Sequence, residues 1–209
     1  MSPARVGISG VVKLTSSDDF INSHEYQFGL KGEQDIVKLL QENGAFIIPQ
    51  YNYKEQDDFK GPRMHGLSEE YVLPDLDVSK KGVRVWVEVK TKSGRDLYRK
   101  TNTWVHGFNK RHYEHYRIVE EITSNEVWVV FIERTGEWAG NVSCVFLHNA
   151  AIHHTYEGNK MGRGGMVFFD VESLFPITTL IERLNRQDII KSVKGQANLN
   201  IWIPGGVSA

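Results

Sequence analysis

Two short stretches, separated by four residues, constrain the fold of this chain more than any other part of its sequence. Residues 83–90 alternate between valine and larger, mostly charged side chains. Such alternation is typical of a β-strand whose two faces meet different surroundings. Residues 73–78 come before this strand, and residues 79–82, which read Ser-Lys-Lys-Gly, favour a tight turn. The sequence therefore predicts an antiparallel hairpin.

The predicted hairpin brings acidic side chains together. Glu88 and Lys90 share one face of the second strand, and Asp75 and Asp77 share one face of the first. Directly opposed side chains lie about 5 Å apart, so a carboxylate from each strand would be adjacent. Such a pair repels unless a cation lies between them, and oxygen ligands suit Mg²⁺ or Mn²⁺. We predict a metal site here; an exposed ion pair between Glu88 and Lys90 is the alternative.

Residues 29–44 predict an amphipathic helix that ends at Gly44. The i, i+3, i+4, i+7 positions of one face are Glu33, Ile36, Val37 and Leu40. Glu33 therefore lies on the side that packs against a sheet, where a carboxylate is costly unless it is hydrogen-bonded or near a cation. The alternative is an ordinary first-turn glutamate favoured by the helix dipole.

Together these residues resemble the PD-(D/E)xK nuclease superfamily, and most of all its branch of archaeal Holliday-junction resolvases and RecB-type nuclease domains. The resemblance spans residues 29–135. The matching residues are Glu33, Pro74, Asp75, Glu88, Val89 and Lys90. It implies an α/β, restriction-endonuclease-like αβββαβ core, with a mixed central sheet flanked by helices. We predict an N-terminal extension at 1–25, the nuclease-like domain at 26–187 and a C-terminal tail at 188–209.

The resemblance also implies a role for each matching residue. Asp75, Glu88 and the Val89 carbonyl would bind Mg²⁺, for which Mn²⁺ can substitute. Lys90 would orient or activate water, and Glu33 would support that water or a second ion. Asp77 competes with Asp75 as a metal ligand. Asp75 is favoured because it follows proline at the family's position.

A weaker match follows on the next predicted helix. RecB-type domains carry a Gln-x-x-x-Tyr motif there, and residues 112–116 of this chain read His-Tyr-Glu-His-Tyr. Tyr116 matches the motif, but His112 stands where the glutamine is expected. This departure leaves the roles of both residues open.

The charge of the chain is unevenly distributed. The net charge is −1, yet residues 90–117 contain eight Lys or Arg and only two acidic residues, interleaved with aromatic rings. Phosphate contacts provide most of the sequence-independent affinity for nucleic acid, so we expect DNA to bind here. The candidate contacts are Lys92, Arg95, Arg99, Lys100, Lys110, Arg111, His112 and Tyr116. A solvated basic surface without a ligand is the alternative.

The remaining elements are predicted from hydrophobic patterns. Residues 45–53 predict a strand, 94–109 an irregular crossing segment and 110–123 a helix. The continuous apolar run 127–132 indicates a strand buried on both faces. Short strands at 143–147 and 166–169 and a helix at 171–186 complete the prediction.

These patterns predict a Mg²⁺-dependent DNA nuclease, with branched or structured DNA as its first candidate substrate and a homodimer as its assembly. The single cysteine, Cys144, excludes an intramolecular disulfide. The sequence has no apolar run of 18 residues and no apolar N-terminal stretch, so we expect a cytoplasmic protein without a membrane partner. A nucleic-acid-binding or scaffold protein that keeps this fold without turnover is the alternative.

Overall fold

The computed structural model describes residues 22–49, 62–158 and 164–186. The predicted tail and most of the predicted N-terminal extension lie outside these ranges. The helices are α1 (His24–Glu42), α2 (Lys110–Thr123) and α3 (Ile177–Asn185). The strands are β1 (Phe46–Pro49), β2 (Arg63–His65), β3 (Glu70–Val72), β4 (Leu76–Lys80), β5 (Val83–Lys92), β6 (Asp96–Tyr98), β7 (Thr103–Asn109), β8 (Glu126–Glu133), β9 (Val142–Phe146), β10 (His154–Tyr156), β11 (Met166–Asp170) and β12 (Phe175–Pro176).

A six-stranded mixed sheet forms the centre of the fold. Its strand order is β1-β4-β5-β8-β9-β12, and β5 and β8 are parallel while the other neighbours are antiparallel. Along the chain, α1, β1, β4, β5, α2 and β8 follow one another as αβββαβ. The β2–β3 pair is inserted before β4, and β6 and β7 are inserted before α2. The predicted fold class is therefore confirmed.

The predicted hairpin is formed by β4 and β5. Lys80 pairs with Val83, and the two residues between them, Lys81 and Gly82, both have positive φ. Two such residues in succession make the kind of tight turn that matches the twist of antiparallel strands. The turn fixes the register, in which Leu76 lies opposite Val87.

Each face of β5 contributes to a different hydrophobic core. The four valines of residues 83–89 pack in one core with residues of α1 and α3. Trp86 packs in the other core with residues of α2 and of a second sheet. The alternation in the sequence thus corresponds to two buried faces, which is why β5 is the centre of the molecule.

Helix α1 begins five residues earlier than predicted and ends as predicted. Ser23 caps it by accepting a 3.2 Å hydrogen bond from the Tyr26 amide. At the other end the Gly44 amide donates to the Gln41 carbonyl and the Ala45 amide to the Leu40 carbonyl. Gly44 has a φ of 78°, which glycine adopts without strain and which stops the helix at this point.

The boundaries of α2 agree with the prediction, but those of α3 do not. Helix α3 covers residues 177–185, because the segment predicted as its first turns forms a 3₁₀ turn and the short strand β12. Pro176 explains the boundary, since a proline ring disfavours helical backbone in the residue before it.

The irregular crossing segment predicted at 94–109 was wrong. Strands β6 and β7 occupy it, and they join β10 and β11 in a four-stranded antiparallel sheet of order β10-β11-β7-β6. Glycine inside β7, at position 107, weakened the strand pattern there. Within the described ranges, no helix is long and apolar enough to cross a membrane.

Candidate active site

The hairpin places the carboxyl groups of Asp75 and Glu88 at the same end of the central sheet. Asp75 directly precedes β4, so the register continues it to a position opposite Glu88. The two residues are 6% and 1% exposed. One carboxylate oxygen of Asp75, Oδ2, accepts a 2.8 Å hydrogen bond from the Val89 amide. The Asp75 side chain is therefore held against β5 rather than pointing into solvent.

Lys90 is ion-paired with Glu88. Its side chain is more exposed than those of Asp75 and Glu88. Burial lowers the pKa of Lys90, but the nearby charges of Glu88 and Asp75 outweigh this effect and the pKa is raised. The ammonium group is thus positively charged at neutral pH. Because Lys90 has one-quarter of its side chain exposed, it can reach a ligand that approaches from solvent.

Glu33 joins the same group from α1. Gly32, the preceding residue, makes this approach possible, since a Cβ there would lie 1.9 Å from Thr91 Oγ1 on β5. Burial and then the negative charge of Glu88 raise the pKa of Glu33 to about 7, while Lys90 opposes the shift. We refer to Glu33, Asp75, Glu88 and Lys90 as the acidic cluster.

The electrostatics of Asp75 show how tightly the acidic cluster is coupled. Burial, followed by the charges of Glu88 and Glu33, raises the pKa of Asp75 well above its usual range, against the opposing effects of Lys90 and the Val89 amide. Three carboxyl groups therefore share one lysine in a poorly solvated place. Such a group favours binding either protons or a cation.

The donor set of the acidic cluster fits a hard divalent cation. Among the described residues no group of three or more Asp, Glu, His or Cys side chains is arranged to hold a metal ion. Mg²⁺ does not need one, because it binds through one or two carboxylates and keeps several waters. A cavity of about 260 Å³ borders Glu33 and Asp75 on the α1 side of the cluster. Asp75, Glu88 and the Val89 carbonyl are the groups that would hold the ion.

Asp77 lies outside the acidic cluster. It is buried opposite Trp86, and its two carboxylate oxygens accept hydrogen bonds of 2.9 and 2.6 Å from the Arg84 guanidinium. Both oxygens are thus used by one arginine. Of the two aspartates that the sequence offered, Asp75 is the one that the structure groups with Glu88.

Tyr116 has a different position from the one predicted. Its side chain is fully buried, so the predicted direct contact with nucleic acid is wrong. Its hydroxyl donates a 2.7 Å hydrogen bond to Glu88 Oε2, and His112 Nδ1 lies 3.4 Å from the same hydroxyl. The His-x-x-x-Tyr sequence therefore places α2 against the acidic cluster.

The basic residues predicted to bind DNA fall into two groups, those exposed to solvent and those paired with acidic residues. Arg99, Lys100 and Arg111 are exposed. Lys110 is paired with Glu157 and Glu114. Because these partners neutralise part of the segment, the exposed cations are fewer than its composition predicts.

Lys92 is the next lysine along β5 after Lys90, and it points into the protein. Its ammonium group donates a hydrogen bond to the Gly107 carbonyl of β7. Burial and then the charge of Lys90 lower the pKa of Lys92 to about 8, with Asp96 opposing. Lys92 therefore connects the end of β5 to the four-stranded sheet.

Sequence reasoning missed a polar network around Glu133, a buried residue at the end of β8. Glu133 accepts hydrogen bonds from Arg95 (2.7 Å) and Asn141 (3.1 Å) and lies 2.7 Å from His106 Nε2. Burial alone would raise the pKa of Glu133, but these hydrogen bonds outweigh it and the pKa is lowered. The Arg95 guanidinium is thus bound to Glu133. Its side chain has a structural role here, in place of the predicted contact with DNA. The signal in the sequence was an acid that directly follows the apolar run 127–132.

The αβββαβ core is an α/β fold of the restriction-endonuclease-like class. Among the solved structures that are similar to it are two with 12% sequence identity each. One is Hjc from Archaeoglobus fulgidus, a Holliday junction resolvase, with a TM-score of 0.48 over 73% of this chain and 99% of that one. The other is a nuclease from a fusselovirus, with a TM-score of 0.40 over 81% and 93%.

At these values the likeness concerns the fold, and the function proposed below rests on the side chains of the site. No protein-family model matches the sequence, and no curated protein is similar enough to count as a relative.

Proposed function

We propose that this protein is a Mg²⁺-dependent nuclease that hydrolyses phosphodiester bonds of DNA. The single observation that carries the proposal is the convergence of Asp75, Glu88 and Glu33 with Lys90 at one end of the sheet. A divalent cation held there would polarise a phosphoryl oxygen and offset negative charge in the transition state.

The residues of the acidic cluster suit complementary tasks in this reaction. A water oxygen forms a bond to phosphorus, the bond from phosphorus to the leaving sugar oxygen breaks, and that oxygen takes a proton from solvent water. Lys90 carries its proton, so it acts as a positive hydrogen-bond donor to the phosphate or the water rather than as a base. Glu33, with a pKa of about 7, is suited to accept the proton that the water loses.

DNA is the proposed substrate because Arg99, Lys100 and Arg111 present positive charge to solvent. Branched or structured DNA is the first form of DNA to test. A homodimer is the proposed assembly, because two active sites would cut two strands. The predicted cytoplasmic location stays a prediction.

The test uses the full chain and four labelled DNA forms: duplex, single strand, flap and four-way junction. Each is incubated with Mg²⁺, with Mn²⁺ or with EDTA, and light scattering gives the assembly state. We expect cleavage of at least one form that requires the metal. Binding of DNA without cleavage under every metal condition contradicts the proposal and favours a binding protein instead.

Variants of the acidic cluster separate this activity from a contaminant. Asp75→Asn, Glu88→Gln and Lys90→Met should each lower the cleavage rate about a hundredfold or more. The matched controls are Glu182→Gln on α3 and Lys31→Met on α1, two exposed residues, which should cleave within about twofold of the parent protein. Circular dichroism verifies that every variant is folded. Equal loss in the controls would show that the cluster is not the active site.

A further inference from the structure

The four-stranded sheet has one face that packs in the core shared with α2 and an opposite face on which Phe168 and Val105 are buried. Its inner face contributes Phe108, Val167 and Phe169 to the core shared with α2. The register places His154 beside Phe168, and Phe168 beside Gly107, on the opposite face. Phe168 is only 3% exposed, so the half-buried rings of Tyr98, His154 and Tyr156 are the ones on this face that can meet a ligand.

Three rings are stacked on the outer face. The Tyr98 and His154 rings are 3.8 Å apart between centroids and inclined by 23°. The His154 and Phe168 rings are 4.4 Å apart and almost parallel, at 3°. Gly107 makes this possible, because a Cβ at that position would lie 2.6 Å from the Phe168 ring. The glycine that interrupts the strand pattern of β7 thus has a packing role.

A cavity of about 380 Å³ opens next to these rings. Tyr156 and Val105 add an aromatic and an apolar wall, and Asp96 and Lys100 contribute one charge of each sign. Lys100 and its neighbour Arg99 are both exposed. The positive charge of Lys100 also reaches the stacked rings, since it contributes, after burial and His153, to lowering the pKa of His154.

We infer that this outer face is a subsite for the base of an unpaired nucleotide, with the adjoining phosphates held by Lys100 and Arg99. The inference rests on the proposed function in taking DNA as the ligand, and it narrows the substrate to DNA that has unpaired bases. Rings of this kind stack on any base, because every base has a π-face. A base inside a duplex is already stacked on its neighbours and cannot enter the cavity.

The position of the subsite connects it to the acidic cluster. Gly107, which lies under the Phe168 ring, accepts a hydrogen bond from Lys92. Lys92 is two residues beyond Lys90 on β5. Strand β7 therefore has two contacts at Gly107. The Phe168 ring of the subsite packs on this glycine, and its carbonyl binds Lys92 of β5, the strand that carries Lys90. A single strand held by the outer face is anchored to the sheet that adjoins the site of cleavage.

The test measures binding in EDTA, so that it does not depend on cleavage. Fluorescently labelled single-stranded and duplex DNA are titrated with the full chain, and a single strand carrying 2-aminopurine reports stacking through quenching. Tyr98→Ala and Tyr156→Ala should weaken single-strand binding about fivefold to a hundredfold and reduce the quenching, because stacking on an aromatic ring contributes that much for each base. Duplex binding should change by less than about twofold.

Lys100→Gln tests the phosphate contact separately. It should weaken single-strand binding and reduce the slope of log affinity against log salt by about 0.7, the value for one phosphate contact on a single strand. The matched controls are Phe46→Ala and Lys38→Gln, which replace an exposed aromatic residue and an exposed lysine elsewhere on the molecule. Both controls should bind as the parent protein does.

Unchanged single-strand affinity and quenching in folded Tyr98→Ala and Tyr156→Ala overturns the inference, as does an equal loss for duplex and single strand. These outcomes differ from failure of the proposed nuclease activity. If the protein binds single strands through Tyr98 but cleaves no DNA, the subsite is supported and the proposed nuclease activity is contradicted. If the protein cleaves DNA but substitution of Tyr98 and Tyr156 leaves single-strand binding unchanged, the nuclease activity is supported and the subsite is contradicted.

Discussion

The hydroxyl of Tyr116 donates a 2.7 Å hydrogen bond to Glu88 Oε2, and both side chains are buried. This bond joins α2 to β5 at the acidic cluster. Glu88 uses its other oxygen, Oε1, in the ion pair with Lys90. The two partners thus fix both ends of the carboxylate that lies at the centre of the proposed active site.

The first prediction concerns this hydrogen bond. Tyr116→Phe removes only the hydroxyl and leaves Glu88 with one partner fewer. Outer partners of metal-binding carboxylates typically change metal affinity tenfold to a hundredfold, so the Mg²⁺ concentration for half-maximal cleavage should rise by about tenfold. Tyr113→Phe, on the same helix, is the matched control. An unchanged Mg²⁺ requirement in Tyr116→Phe would show that the bond does not support the site.

The second prediction concerns stability and pH in the metal-free protein. The pKa of Glu33 rises from 4.5 to about 7 on folding, so between these values the folded chain holds a proton that the unfolded chain has lost. The contribution of Glu33 to the free energy of unfolding therefore falls as the pH rises from about 4.5 to 7.

Glu33→Gln removes this loss. At pH 8 in EDTA the variant should be more stable than the parent by on the order of 1–3 kcal/mol, and at pH 4 the two should be similar. Urea unfolding at both values measures the difference, with the exposed Glu42→Gln as control. If the difference in stability between Glu33→Gln and the parent protein is the same at pH 8 as at pH 4, the raised pKa of Glu33 is contradicted.

The third prediction concerns the approach of α1 to β5. Gly32→Ala adds a Cβ that would lie 1.9 Å from Thr91 Oγ1, so the helix or the threonine must move. Overpacking of this kind typically costs about 1–3 kcal/mol of stability, and a moved helix also takes Glu33 away from the acidic cluster.

Gly29→Ala is a close control on the same helix, because a Cβ there meets nothing within 4 Å. It should stabilise the protein by up to about 1 kcal/mol through its better helix propensity. Thermal unfolding and cleavage rate distinguish the two variants. If Gly32→Ala matches Gly29→Ala in both, the close packing of α1 is not needed for the site.

The fourth prediction separates two arginines of the basic segment. Arg111 is exposed, so Arg111→Gln should weaken duplex binding and lower the salt slope by about 0.9 while stability stays the same. Arg95→Gln should lower the free energy of unfolding by about 3–5 kcal/mol, because buried Glu133 loses its charged partner. Salt-titrated DNA binding and urea unfolding measure the two effects. The reverse assignment of losses would restore Arg95 as a DNA contact.

Local patterns in the sequence were sufficient for the elements that surround the site. The period-two alternation of residues 83–90 and the turn at 81–82 specify the hairpin and its register, because side chains of a strand alternate between faces. The same holds for α2, whose boundaries agree with the prediction, and for β8, whose apolar run indicates burial on both faces. These features depend on neighbours within a few positions along the chain.

The sequence by itself determined which acids and which lysine share the hairpin, and hence that Asp75, Glu88 and Lys90 are candidates for one site. Only the tertiary structure decided between Asp75 and Asp77, because it pairs Asp77 with Arg84. It also decided that Tyr116 is buried against Glu88 and that Arg95 pairs with Glu133. Those pairings join residues on separate elements or differ only in side-chain orientation. Periodicity specifies which face of an element is apolar, whereas the partner of a polar side chain depends on which other elements pack beside it.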